Sequence, residues 1–117
     1  MSIVRRENER SFSSRQVQGG LGEAKFLAIL ENNEELMGKG RLFSHVKLEK
    51  GCSMGWHVHQ GEGEAYYILK GQGEYNDNGN VVPVSAGDVT MVYSGEGHSI
   101  VNTGDETLEL IALILFE

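Results

Sequence analysis

The stretch Gly51–Gly71, GCSMGWHVHQGEGEAYYILKG, decides how the chain is read. Two histidines, His57 and His59, straddle one valine, and Glu64 follows five positions after the second. Side chains alternate along a strand, so residues two apart share a face and both imidazoles point the same way. After the turn QGEG the chain resumes as EAYYILKG, and an antiparallel return strand lays Glu64 opposite the histidines, with Tyr66 and Ile68 following on its face. Further on, GDVTMVYSGEGHSIVN (87–102) sets a strand, a glycine turn at Gly95-Glu96-Gly97, and then His98 at the start of another strand.

Three neutral imidazoles and one carboxylate form a mixed nitrogen and oxygen set of the kind borderline divalent metals accept, and it extends the two-histidine, one-carboxylate site of non-haem iron enzymes. One carboxylate against a divalent ion leaves the centre near +1. In a six-coordinate site four protein ligands leave two positions open for substrate, water or dioxygen. Any one of these histidines alone reads as an ordinary core or surface residue. The close pair, the glutamate after it and the distant glycine-flanked histidine together argue for a metal.

Outward from this stretch, short apolar segments rich in β-branched and aromatic residues recur between glycine and asparagine punctuation, which predicts an all-β sandwich or barrel. Asn78-Gly79 marks a tight hairpin turn, and Pro83 just after it belongs on an edge strand or at a bulge. The last segment, Thr107 to Phe116, places Leu108, Leu110, Ala112, Ile114 and Phe116 on one face and Ile111, Leu113 and Leu115 on the other. Both faces want burial, so this strand is central in the sandwich or half given to a subunit interface.

At 117 residues the chain is of single-domain size, with 16 glycines against one proline. We divide it into an N-terminal arm over residues 1–20, loose or lying on a neighbouring subunit, and a β domain over 21–117. The net charge of −7 argues against nucleic acid, whose binding rests on clustered Lys and Arg. Four arginines oppose two glutamates within the first eighteen residues, so that segment carries +2 and the remainder −9. The longest apolar run, Ile111–Phe116, is too short to span a bilayer, which sets membranes aside as partners. The single cysteine, Cys52, is compatible with a reducing compartment, and the expected location is cytoplasmic.

These residues resemble the cupin superfamily. Its first motif is matched by Gly51, His57, His59, Glu64 and Gly71, and its second by Gly87, Gly95, His98 and Asn102, with Tyr93 where the family has proline. That departure touches a turn and not a ligand. The resemblance covers Gly51–Asn102 and implies a single-domain conical jelly-roll β-barrel and metal ligands at His57, His59, Glu64 and His98 for manganese, iron, nickel, copper or zinc; the doubly apolar last strand adds the expectation of a homodimer. It also implies an enzyme acting on a small organic acid or oxygenated metabolite, of oxygenase, decarboxylase or isomerase type. The alternative is a non-catalytic small-molecule-binding or sensory protein. Candidate pocket residues are Tyr66, which shares the face of Glu64, Met91 and Ile100 as apolar walls, and Arg41 as a guanidinium for a substrate carboxylate. Arg41 shares a strand face with Phe43, His45 and Lys47, and the plain reading turns that face to solvent.

Overall fold

The computed structural model describes residues 2–117. Ten strands form two antiparallel sheets around one core, the all-β jelly-roll architecture expected from the sequence. The larger sheet has the order β1 (Phe12–Arg15), β2 (Ala24–Leu30), β3 (Gly40–Leu48), β10 (Leu108–Phe116), β5 (Glu62–Lys70), β8 (Val89–Val92). The smaller has the order β4 (Ser53–Val58), β9 (Gly97–Asn102), β6 (Gln72–Asp77), β7 (Asn80–Ser85). Among the described residues no helix is long and apolar enough to cross a membrane.

The doubly apolar last strand is central. β10 pairs with β3 on one side and β5 on the other, in a register that sets Leu110 between Val46 and Ile68. All three are fully buried, and each contributes roughly 1.5–3 kcal/mol relative to staying in water. A register shift between Ile114 and Leu115 ends the alternation, so Phe116, which alternation sets on the face of Leu110, lies exposed at the strand's end. On the outer face Ile111 and Leu113 are only half covered.

The hairpin and the edge fall where local chemistry places them. Asp77 pairs with Asn80, leaving Asn78 (φ 53°) and Gly79 (φ 99°) as a two-residue turn with both residues left-handed, a conformation that Asn and Gly tolerate best. Pro83 lies on β7, an edge strand, where a missing N–H costs the ladder little.

Within the arm, expected to be loose or lying on a neighbouring subunit, residues 12–18 lie along the body of their own chain. Phe12–Arg15 pair with Leu27–Ala24 as the edge of the larger sheet, and Val17 then bridges in parallel to Met54 on the smaller one. The Gly55 N–H donates to the Val17 carbonyl at 2.9 Å. The approach is so close that a Cβ at Gly55 would run into the Gln18 carbonyl, which only glycine avoids. This part of the arm therefore ties the two sheets together at one end of the barrel.

Leu110→Ala is expected to lower the free energy of unfolding by about 2–5 kcal/mol, because the site is packed on both flanks and cannot collapse. Urea unfolding at constant m-value measures this, and a loss below about 1 kcal/mol would contradict the central placement of β10.

Candidate metal centre

His57 lies on β4, His59 directly after it, Glu64 on β5 and His98 on β9, so both sheets contribute donors. His57 pairs directly with His98 across the smaller sheet. Met54 pairs with Ile100, so β4 has one more residue than β9 between these two rungs. That bulge puts Met54 and His57 on the same inner face, where strict alternation would separate residues three apart.

The donor atoms converge. His98 Nε2 is 3.1 Å from His57 Nε2, 3.2 Å from His59 Nε2 and 3.0 Å from Glu64 Oε1. Glu64 Oε1 is also 3.1 Å from His59 Nε2 and 3.6 Å from His57 Nε2. Glu64 and His59 are 4% exposed and His98 is fully buried, so these three donors are largely shielded from bulk solvent.

The opposite edge of each imidazole fixes what its Nε2 presents. His57 Nδ1–H donates to the Gly55 carbonyl at 2.7 Å, an oxygen that only accepts. His59 Nδ1–H donates to Glu62 Oε2 at 2.7 Å. Both rings therefore turn an Nε2 lone pair inward. The Tyr75 hydroxyl sits 2.7 Å from His98 Nδ1, and the Tyr66 ring stacks on the His98 imidazole at 4.9 Å between centroids. Even with its proton on Nε2, His98 would offer one hydrogen to three surrounding acceptors.

A divalent cation resolves that crowding, and the spacing suits one. Bonds of about 2.1 Å give adjacent donors roughly 3.0 Å apart in a six-coordinate site and roughly 3.4 Å in a tetrahedral one. Four of the five separations above are 3.0–3.2 Å, closer to the six-coordinate value. Charge agrees at Glu64 and His98, whereas Glu64, and Glu62 after it, raise the His59 imidazole, so a metal there displaces a proton. Burial alone would push the Glu64 carboxyl up, but the surrounding imidazoles of His57, His59 and His98 hold it well below the usual range, so it is an anion. Burial pulls His98 down, against the raising effect of Glu64, toward the neutral form that a ligand requires.

Beyond His59 the chain of contacts continues to the protein's rim. Glu62 accepts from Arg41 Nε and from an Arg41 terminal nitrogen, both at 2.8 Å, while holding His59 with its other role. Arg41 is exposed, but it is the extra residue where β3 bulges between Gly40 and Leu42, so strict alternation does not fix its face and its side chain reaches this carboxylate. Glu62 and Tyr75 were not singled out from the sequence. Glu62 stands two before Glu64 on one strand face, and that spacing was the available signal.

Above the donors a cavity of about 190 Å³ opens, with His57, His59 and Glu64 at its base, Phe26, Met54 and Tyr66 among its walls, and Arg15, Gln16, Gln18 and Arg41 also lining it. Of the expected pocket residues, Tyr66 and Arg41 line this cavity. Met91 and Ile100 do not. Val92 pairs with Glu64, so Met91 pairs with Ala65 and faces outward to a groove beside β7. Ile100 is buried one pleat deeper than His98, opposite Met54 and Tyr75, in the core proper.

The second motif's departure is harmless in this structure. The Tyr93 N–H, which proline would lack, donates to Glu96 Oε1 at 2.8 Å and closes the turn before His98.

Glu62→Ala is expected to weaken divalent-metal affinity about 10–100-fold, because His59 loses the acceptor that orients it. Glu62→Gln, which keeps a carbonyl oxygen, is expected to lose less. Competition against a chelator of known affinity measures both, and unchanged affinity in the alanine variant would show that Glu62 does not orient the ligand.

Comparison with known proteins agrees with this site. The family model for the cupin domain matches residues 44–114. An oxalate-binding protein of Thermotoga maritima is 50% identical over 99 residues, covering 85% of this chain and 81% of the relative. A crystal structure from Thermotoga maritima, described as a predicted oxalate decarboxylase, superposes with a TM-score of 0.92 at 44% identity, over 98% of this chain and 100% of the other. The polyketide cyclase RemF of Streptomyces resistomycificus shares the fold with a TM-score of 0.78 at 17% identity, over 100% of this chain and 81% of its own. With both motifs in place, four donors converging and the family model spanning most of the barrel, this chain belongs to the cupin family.

Proposed function

We propose that this protein binds a small dicarboxylate of the oxalate class at a divalent metal held by His57, His59, Glu64 and His98. The observation that carries the reading is the joint placement of that donor set and two guanidinium-bearing residues, Arg15 and Arg41, around one cavity. Its 190 Å³ is roughly the share of six water molecules in the liquid and lies below the usual range for drug-sized ligands. The name of the Thermotoga maritima oxalate-binding protein supports the same ligand class. When bound, the cation would supply open coordination positions and Lewis acidity toward carboxylate oxygens.

The chain's own residues favour binding over turnover. Decarboxylation of such an acid breaks a carbon–carbon bond and ends by delivering a proton to carbon, so it needs a proton donor beside the ligand. Among the described residues lining the cavity, the ionisable groups other than the metal donors are Arg15, Arg41 and Tyr66. Neither guanidinium gives up a proton at ordinary pH. Burial, with the charge of Glu64 next, raises the Tyr66 hydroxyl well above its ordinary value, which makes it a reluctant acid. Tyr66 is nonetheless the one lining group able to donate, and it carries the second reading, a decarboxylase.

Calorimetric titration of the manganese-loaded protein with oxalate tests the first reading, with released carbon dioxide and formate assayed alongside. Saturable binding with one site per chain, lost after chelation and in His98→Ala, is expected. Absence of oxalate binding in protein shown to retain metal would overturn it. Sustained formate release that Tyr66→Phe abolishes, with oxalate affinity kept, would instead establish the second.

A further inference from the structure

The dicarboxylate reading leaves one end of the ligand without a partner, since a metal at the base of the cavity engages only the oxygens nearest it. Two guanidinium-bearing residues line the same cavity. Arg41 is held by Glu62 through two hydrogen bonds of 2.8 Å, and Glu62 in turn holds His59, so drawing Arg41 onto a ligand would disturb a metal donor. Arg15 has no carboxylate partner among the described residues. Its guanidinium carbon lies 3.9 Å above the Phe26 ring, and its one side-chain hydrogen bond, to Ser13 Oγ, is long at 3.4 Å.

We propose that Arg15 is the specificity-determining residue for the second carboxylate, binding it through the guanidinium fork while the first is held at the metal. This rests on the dicarboxylate reading and identifies which residue selects a dianion over a monoanion. Phe26 is 5% exposed and itself lines the cavity, so the ring holds the guanidinium at the wall. A cation–π contact of that kind is weak at an exposed site. A two-pronged, charge-assisted bond to carboxylate is stronger and displaces it readily.

The charge count points the same way. A divalent cation with Glu64 leaves one positive charge at the base, and Arg41 with Glu62 cancels. Arg15 adds a second positive charge, which makes the lined cavity a match for a dianion. This positive rim stands against a chain whose net charge is −7 and which would otherwise repel such a ligand.

The N-terminal basic run thereby acquires a use. Arg5 is paired with Glu35, and Arg10 donates to the carbonyls of Ala28 and Leu27, so both fasten the arm to the body. Arg15 is the member of the run that lines the cavity, placed by β1 on one side and by the Val17–Met54 bridge on the other. Arg15 is exposed and pairs only at a sheet edge, so its replacement removes no buried side chain.

The test compares oxalate and formate binding to the manganese-loaded wild type, Arg15→Gln and Arg15→Lys, with metal content measured for each. Arg15→Gln is expected to weaken oxalate at least tenfold and change formate by less than twofold, with metal content unchanged. Arg15→Lys, which restores charge without the fork, is expected to recover only part of the loss. Equal weakening of oxalate and formate would overturn the proposal by showing that Arg15 acts on the metal site or on the arm. Unchanged oxalate affinity in Arg15→Gln would overturn it while leaving the dicarboxylate reading standing. A metal-loaded wild type that ignores oxalate would overturn both.

Discussion

The rest of the molecule is organised around a confrontation of like groups. Two imidazole lone pairs, a third imidazole and a carboxylate anion crowd together, with five of their six separations at 3.0–3.6 Å, in a largely buried site. Without a cation such an arrangement is repulsive, and low local dielectric sharpens the repulsion. Its persistence needs scaffolding on every side. The Gly55 carbonyl, the Glu62 carboxylate and the Tyr75 hydroxyl each hold the far edge of one ring, and Tyr66 stacks on the most buried of them.

The fold supplies that scaffolding by joining two sheets at one end. β4 and β9 bring three imidazoles from the smaller sheet, while β5 brings the carboxylate from the larger one, where β10 anchors it to the centre of the core. The bulge between Met54 and His57 is what lets one strand give an apolar wall and a ligand to the same cavity. Gly55 sits inside that bulge and serves twice, admitting the arm at close range and offering its carbonyl to His57. Local irregularity at this position thus links the arm, the metal donors and the cavity.

Much of this was legible in the sequence because it depends on short-range spacing. Alternation puts His57 and His59 on one face, and Asn78-Gly79 and Pro83 announce a turn and an edge through backbone chemistry that any context respects. The expected antiparallel pairing of the glutamate strand with the histidine strand does not form: β4 and β5 lie in different sheets, and Glu64 meets the histidines across the barrel. What stayed hidden depends on register and depth. Nothing in TMV tells whether Met91 or Val92 will stand opposite Glu64, and the pairing chose Val92, which turned Met91 outward. Ile100 shares a face with His98, yet one pleat of depth separates core from cavity. Arg41 was assigned to the outer face by alternation, which the bulge between Gly40 and Leu42 interrupts at this residue. Residues 12–18 carry no period to reveal their strand, because an exposed edge strand has no buried face to pattern.

The central claim is that four side chains share one divalent ion. Anomalous diffraction from a crystal of the manganese-loaded protein tests it most directly. The account predicts a single peak within about 2.0–2.3 Å of the Nε2 atoms of His57, His59 and His98 and of one Glu64 oxygen. A peak bound elsewhere, or a site left without metal while Nε2 and carboxylate atoms keep their present separations, would contradict it.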